Sequence, residues 1–276
     1  MLQIEWDYYH AGTVYHAGAC TPSEEQDLTN GCYFYARNTT EIEYPTVPPT
    51  TTEPITTTEP VTTLPADVVR SVCSQVPMDV IWIMDGSTSI DTGSGVWGPI
   101  GPNGESEWDQ QIAFINSVND LLTISPTDSR VAMVQFSVAN RIEFQFQTDP
   151  VLLQTAVDNV VPIGGGTLTA KAMRDSLNNL VVPTARYGVR VVVIVVTDGS
   201  ASDNFVLASE SNKYVALGID VVAVGVDAAV TSQLETIASD PSFVYQAVTF
   251  ADLSGFGEML TAQMCDQPIG YTTPAP

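Results

Sequence analysis

The chain has 276 residues, 44% of them hydrophobic, which is enough for one domain of about 200 residues with its own core and for additional segments. Its 32 acidic residues outnumber its 9 basic residues and give a formal net charge of −23. This charge excludes nucleic acid as a partner, because phosphate recognition needs clusters of Lys and Arg, and it disfavours docking to anionic membranes. No apolar run approaches the ~20 residues that span a bilayer.

The first part of the chain divides into a small module and a linker. Residues 1–44 contain Cys20, Cys32 and many aromatic residues, and we expect a short hairpin module with a disulfide, to which the sequence assigns no function. Residues 45–65 hold nine Thr and six Pro, so they cannot bury a core and are expected to form an extended, O-glycosylated linker. Residues 268–276 resemble the start of a further linker of this kind.

Between these linkers, the long segment 66–267 alternates strand-like and helix-like patterns. Helices of ten or more residues between strands predict an α/β fold, with a doubly wound, mostly parallel sheet, one antiparallel edge strand and helices on both faces. The β-branched run 191–196 is expected to be a central strand, and the alternating run 142–146 an edge strand. Pro183 is expected to end the helix before it. The remaining predicted strands lie near 80–84, 131–136, 220–226 and 244–247, and the helices near 112–122, 172–180, 206–217, 234–238 and 253–264.

Polar side chains follow several of these strands at their carboxyl ends. Asp85, Ser87 and Ser89 lie in Asp-Gly-Ser-Thr-Ser, Thr167 follows three glycines, and Asp198 lies in Thr-Asp-Gly. Because loops at the carboxyl ends of parallel strands converge on one crevice, two carboxylates and three hydroxyls are expected to meet there. Oxygen ligands of this kind suit a hard divalent cation. Asp and Ser are also ordinary turn and helix-capping residues, so the prediction depends on all five positions together.

The sequence between Cys73 and Cys265 strongly resembles the von Willebrand factor type A domain. The version is similar to the extracellular-matrix branch of that family, which includes matrilins and non-fibrillar collagens. Ala170 departs from the glycine of many relatives, at a position that supplies no ligand. The resemblance is carried, in the order of the family, by the motif at 85–89, Arg130-Val-Ala-Met-Val-Gln-Phe-Ser137, Gly164-Gly-Gly-Thr-Leu-Thr169, Val196-Thr-Asp-Gly199, the strand-like segment 222–225 and Ile237-Ala-Ser-Asp-Pro241.

The resemblance implies a metal-ion-dependent adhesion site. Ser87, Ser89 and Thr167 would then offer hydroxyls to Mg²⁺, Mn²⁺ or Ca²⁺, while Asp85 and Asp198 would hold the shell, often through water. An open position on the ion would accept a carboxylate from a protein partner, with collagen-like or other matrix proteins as the expected class. The implied function is a non-enzymatic adhesion module in an extracellular-matrix or cell-surface protein.

Two other functions compete with this one. The domain could be a structural spacer or a self-associating matrix building block whose metal is only stabilising or vestigial; metal-independent binding would identify that case. An enzyme is not expected, because Gly164-Gly-Gly-Thr167 is not a phosphate-binding pattern and no Walker motif occurs. Both histidines, His10 and His16, belong to the N-terminal module, away from Ser87, which argues against a catalytic triad.

Residues 91–106 form a longer connection than relatives usually have at this place. The segment contains seven glycines or prolines together with Trp97. One interpretation is a specificity loop on the ligand face, with Trp97 as its anchor. The other is a floppy insertion without a role in binding.

All four cysteines lie outside the predicted strands. A bridge between Cys73 and Cys265 would close a loop around the large domain, and an even number of cysteines in such positions indicates an oxidising compartment; four free thiols in a cytosolic protein are the alternative. Asn38 begins an Asn-Thr-Thr glycosylation acceptor if the protein is secreted. The start of the chain has no signal-peptide pattern, so secretion would require that this chain is an excised segment or lacks its leader.

Overall fold

The computed structural model describes residues 65–90 and 105–265 in full, and the backbone alone of residue 266 and of three strands earlier in the chain. The chain divides into two compact units, Met1–Pro60 and Val61–Pro276. In the first unit, β1 (Glu5–His10) lies between β2 (Thr13–His16) and β3 (Phe34–Arg37) and is antiparallel to both. Cys20, Cys32 and Asn38 lie outside the described residues, so their disulfide and glycosylation stay predictions.

The second unit contains a six-stranded sheet. The strand order is β6-β5-β4-β7-β8-β9, in which only β6 is antiparallel to its neighbour. The expected edge and central strands are therefore confirmed at β6 and β7. The strands are β4 (Met78–Asp85), β5 (Arg130–Phe136), β6 (Asn140–Gln147), β7 (Arg190–Thr197), β8 (Asp220–Val226) and β9 (Val244–Ala247).

Helices cover both faces of this sheet. They are α1 (Ala66–Cys73), α2 (Glu107–Asn119), α3 (Pro150–Asp158), α4 (Thr169–Ser176), α5 (Val182–Thr184), α6 (Leu207–Ala216), α7 (Thr231–Ile237) and α8 (Gly257–Asp266). Short 3₁₀ turns at Asn204–Val206, Pro241–Phe243 and Phe250–Gly255 complete the fold. Among the described residues, no helix is both long and apolar enough to cross a membrane.

The central strands are buried on both faces because they carry almost uninterrupted apolar residues. On β4, Val80, Trp82 and Met84 point into one core, together with residues of α1, α2, α3 and α8. Ile81 and Ile83 point into the other core, which also takes residues of α4, α6 and α7. This two-sided burial is what a doubly wound parallel sheet requires.

The prediction that Pro183 ends the helix before it is wrong. The helix that begins with α4 continues past Pro183. A π-helical turn, Leu177–Val181, follows α4 and leads directly into α5, which contains Pro183 near its start. Proline is tolerated in the first turn of a helix, because the missing N–H would have no partner there. The wider turn thus restarts the helix at a position that accepts the proline ring.

The two ends of the large domain meet at the amino ends of the strands. Cys73 in α1 and Cys265 in α8 form a disulfide, with their Cα atoms 5.1 Å apart. Arg190, the first residue of β7, donates from Nε to Oδ2 of Asp220 at 2.7 Å and also donates to the main-chain oxygen of Met264. The last helix, α8, is therefore fixed to the amino ends of the strands, at the opposite end of the sheet from the candidate site loops.

Candidate metal site

Three loops meet at the carboxyl ends of the parallel strands. The first loop (86–90) follows β4, the second loop (164–168) precedes α4, and the third loop (198–203) follows β7. Asp85 is the last residue of β4, and Asp198 opens the third loop. The first loop carries Ser87 and Ser89, and the second carries Thr167.

Hydrogen bonds join the first loop to the third. The hydroxyl oxygens of Ser87 and Ser89 are 2.8 Å apart, and Ser89 Oγ donates to Asp198 Oδ1 at 2.9 Å. Asp85 accepts a hydrogen bond from the main-chain N–H of Ser87 at 2.9 Å and one from Thr197 Oγ1 at 2.7 Å. Four of the five predicted site residues therefore lie in one connected network.

The second loop brings the fifth residue to the same place. The main-chain N–H of Gly164 donates to Gly86 at 2.8 Å, and that of Ser202 donates to the carbonyl of Thr167 at 2.8 Å. A Cβ placed on Gly199, the neighbour of Asp198, would lie 3.8 Å from Thr167 Oγ1. The Thr167 hydroxyl thus lies beside the third loop.

Two buried glutamines support the loops from inside the domain, and neither was predicted from the sequence. Gln111 of α2 donates to the main-chain oxygen of Asp85 at 3.2 Å. Gln135 of β5 accepts from the main-chain N–H of Ile163 at 2.7 Å, just before the second loop. A Cβ on Gly86 would come within 2.3 Å of the Gln135 side chain, so any other residue there would displace this glutamine. For Gln135, the sequence offered one signal, namely a polar residue within the apolar run of β5.

Asp203 links the third loop to the helix that follows the second. Its carboxylate accepts from the main-chain N–H groups of Ala170 and Lys171 at 3.1 and 2.8 Å. These groups belong to the first turn of α4 and have no partner within the helix. Asp203 therefore caps α4 from a different loop and fixes the position where Thr167 leads into the helix.

The two site carboxylates carry negative charge that is poorly compensated. Asp85 is fully buried, and Asp198 is only 7% exposed. Burial, together with the nearby Asp198 charge, raises the pKa of Asp85 to about 6. Burial also raises the pKa of Asp198 above its usual range, and the charge of Asp227 adds to this effect. Among the ion pairs of the described residues, none joins a Lys or Arg to either carboxylate.

The chemistry of this cluster fits a hard divalent cation. Hydroxyl and carboxylate oxygens are the ligands that Mg²⁺, Mn²⁺ and Ca²⁺ accept. Two carboxylates without a Lys or Arg partner match a charge of +2. Among the described residues, no three His, Cys, Asp or Glu side chains form a metal cluster of their own. Any ion here would therefore depend on the Ser and Thr hydroxyls. Trp97 lies outside the described residues, so its place on this face stays a prediction.

Comparison with known proteins identifies relatives of the large domain. The model of the von Willebrand factor type A domain matches residues 79–258. Matrilin-3 of Homo sapiens is 30% identical over 201 residues, which cover 70% of this chain and 37% of Matrilin-3. The collagen alpha-1(XII) chain of Notophthalmus viridescens is 30% identical over 198 residues, which cover 70% of this chain and 20% of the collagen chain. This chain thus spans well under half the length of these matrix proteins.

A solved structure shares the architecture. Proximal thread matrix protein 1 of the mussel byssus, whose structure was determined with a zinc-occupied MIDAS motif, is similar with a TM-score of 0.61 and 24% identity. The likeness covers 70% of this chain and 46% of the mussel protein, and at this identity it shows the fold alone. The match to the family model spans well over half of the 276 residues and includes β7, the loops of the candidate site and all of β4 except Met78. The chain belongs to the von Willebrand factor type A domain family.

Proposed function

We propose that this chain is a non-enzymatic adhesion module of an extracellular-matrix or cell-surface protein. A divalent cation held by Asp85, Ser87, Ser89, Thr167 and Asp198 binds an acidic side chain of a protein partner. The ion supplies the positive charge that the partner's carboxylate needs. The residues of the chain hold the ion and keep their own carboxylates close to it.

One observation carries this proposal. Two buried carboxylates, Asp85 and Asp198, lie next to the hydroxyls of Ser87 and Ser89, with no cationic side chain paired to them among the described residues. Burying such charges without compensation is costly, and a bound cation removes that cost. Support comes from the matrilin and collagen relatives and from the mussel protein, whose MIDAS motif held zinc.

A second function is favoured by the disulfide at the base of the domain. Because the disulfide joins Cys73 in the first helix of the domain to Cys265 in its last helix, the domain is a closed loop whose two ends are held together. This suits a structural spacer or a self-associating building block, whose metal site would serve stability alone.

We also propose the layout expected from the sequence: a module at 1–44, linkers at 45–65 and 268–276, and the type A domain at 66–267.

The first test is metal-dependent thermal unfolding of the full chain. Mg²⁺, Mn²⁺ or Ca²⁺ at 100 times its dissociation constant should stabilise the domain by about 2.7 kcal/mol relative to EDTA, which corresponds to a rise of about 5–10 °C in Tm. Asp198→Ala should abolish the rise. Asp158→Ala, which removes a carboxylate from α3, is the matched control and should keep it. No rise with any of the three ions would contradict the proposed site.

The second test separates adhesion from a purely structural role. The full chain is assayed for binding to immobilised collagens and other matrix proteins in Mn²⁺ and in EDTA, beside sedimentation measurements of self-association. Binding that needs the metal and is lost in Asp198→Ala supports adhesion through the ion. Binding or self-association that persists in EDTA and in the variant supports the spacer.

A further inference from the structure

A residue between the two serines of the first loop makes an unusual contact with the second loop. The main-chain N–H and the Oγ1 hydroxyl of Thr88 both donate to the carbonyl oxygen of Gly165, each at 3.0 Å. Beside them, Gly164 donates to Gly86 at 2.8 Å. Three hydrogen bonds thus join two loops that lie 77 residues apart in the chain.

This contact lies between the candidate ligands of both loops. Thr88 is flanked by Ser87 and Ser89, and Gly165 stands two residues before Thr167. Since the Thr88 hydroxyl donates its hydrogen bond to the carbonyl of Gly165, it does not donate one to the cluster around Asp198. Its hydrogen bonds instead determine how far the second loop stands from the first.

The second loop depends on such external support because its backbone is unusual. Gly165 has φ 107°, a conformation that is strained for any residue with a side chain, and a Cβ there would lie 3.0 Å from Val138. A loop built from three consecutive glycines loses much conformational entropy when it is ordered. Thr88 donates hydrogen bonds to this loop and Val138 lies next to it, and these neighbours support the loop that carries Thr167.

We propose that Thr88 is a positioning residue of the metal site, whose side-chain hydroxyl fixes Thr167 relative to Ser87 and Ser89. The inference rests on the proposed function, because it assigns Thr88 a role in holding the ion. Ligand sites require their groups to be held within about 0.5 Å, and ordering the glycine loop in advance lowers the entropy lost when the ion binds.

The test compares two conservative substitutions of Thr88 in the full chain. Thr88→Val removes the hydroxyl and keeps the branched shape, whereas Thr88→Ser keeps the hydroxyl. Calorimetric titration with Mn²⁺ alone should show a Kd about three- to tenfold higher for the Val variant, as the loss of one hydrogen bond implies, and a Kd within twofold of the parent for the Ser variant. A Val variant that binds as tightly as the parent, or a Ser variant as weak as the Val variant, overturns the proposal.

A second readout needs no metal. In EDTA, the main-chain amide of Gly164 should exchange its hydrogen several-fold faster in Thr88→Val than in the parent or in Thr88→Ser, while amides of β4 and β7 exchange at unchanged rates. Unchanged exchange at Gly164 in the Val variant overturns the positioning role. If the parent itself binds no Mn²⁺, the proposed function is wrong, and the exchange rates alone then decide whether Thr88 holds the second loop.

Discussion

Asp85 is a carboxylic acid at the buried end of a strand, and its surroundings favour the protonated form. Desolvation is the main cause, the Asp198 charge adds to it, and hydrogen bonds from Ser87 and Thr197 act in the opposite direction. Its pKa of about 6 lies above the value of 3.8 for a free side chain. The folded domain therefore binds this proton more tightly than the unfolded chain does.

This difference predicts two pH dependences. Without metal, the free energy of unfolding should fall by about 2–3 kcal/mol as pH rises from about 4 to above 6, because the folded state then loses a proton that it favours. With metal, the dissociation constant should rise about tenfold per pH unit below about 6, because the cation competes with the proton on Asp85. Chemical denaturation in EDTA and calorimetric titration with Mn²⁺ between pH 4.5 and 7.5 measure both effects. A metal affinity independent of pH in this range would contradict this account.

The opposite end of the same strand shows how a buried carboxylate is stabilised by cations. Asp79 is fully buried and accepts hydrogen bonds from the guanidinium of Arg130 at 2.6 and 2.9 Å, from the guanidinium of Arg186 at 2.9 Å and from the main-chain N–H of Arg186 at 2.7 Å. We expect Asp79→Ala to lower the free energy of unfolding by about 3–5 kcal/mol, because two largely buried guanidinium groups lose their partner. Arg174→Ala, which breaks an ion pair with Asp175 whose side chains are 44% and 29% exposed, should cost less than about 1 kcal/mol. Urea denaturation measures both, and equal losses would show that burial does not govern the effect.

At the scale of whole elements, α4 is capped by a residue that is distant in sequence. We expect Asp203→Ala to destabilise the domain by about 1 kcal/mol, as the loss of a capping carboxylate does, and also to weaken Mn²⁺ binding by loosening the link between the second and third loops. Asp149→Ala is the matched control, because Asp149 caps its own helix, α3. It should cost similar stability and leave the metal dissociation constant unchanged. Equal affinities for the two variants would show that this link plays no part in the site.

The elements differ in how far the sequence predicts them. The strands β4, β7 and β8 were predictable because nearly every residue in them is apolar and the helices between them are long enough for crossovers. The helix α1 was missed, because its short segment follows a Thr- and Pro-rich stretch. The π-helical turn before Pro183 was missed too, since it depends on tertiary packing rather than on local preference. The positions of the five candidate residues at one end of the sheet were predictable from strand ends and from the family motif, whereas Thr88, Gln135 and Asp203 make hydrogen bonds across loops that only the folded chain brings together.

On the scale of the molecule, the disulfide between Cys73 and Cys265 encloses the whole sheet, since its cysteines lie 192 residues apart. In the chain-entropy description, such a loop stabilises the folded state by about 5 kcal/mol. We expect the double variant Cys73→Ser and Cys265→Ser to unfold at lower urea concentration, with a loss of several kcal/mol. A loss below about 1 kcal/mol would show that the unfolded chain gains little freedom when the bridge is removed.

The same bridge decides how the domain responds when its chain is pulled. Tension entering at residue 65 reaches Cys73 through α1, crosses to Cys265, and leaves at the end of α8 without loading the sheet. The segment between the two cysteines, whose sequence separation is 192, would span roughly 650 Å when fully extended and stays out of the load path while the bridge is intact. A fibre built with such domains would gain no length from the sheet until a reductant opened the bridge, and the loops of the candidate metal site would keep their shape while the chain beside them was taut.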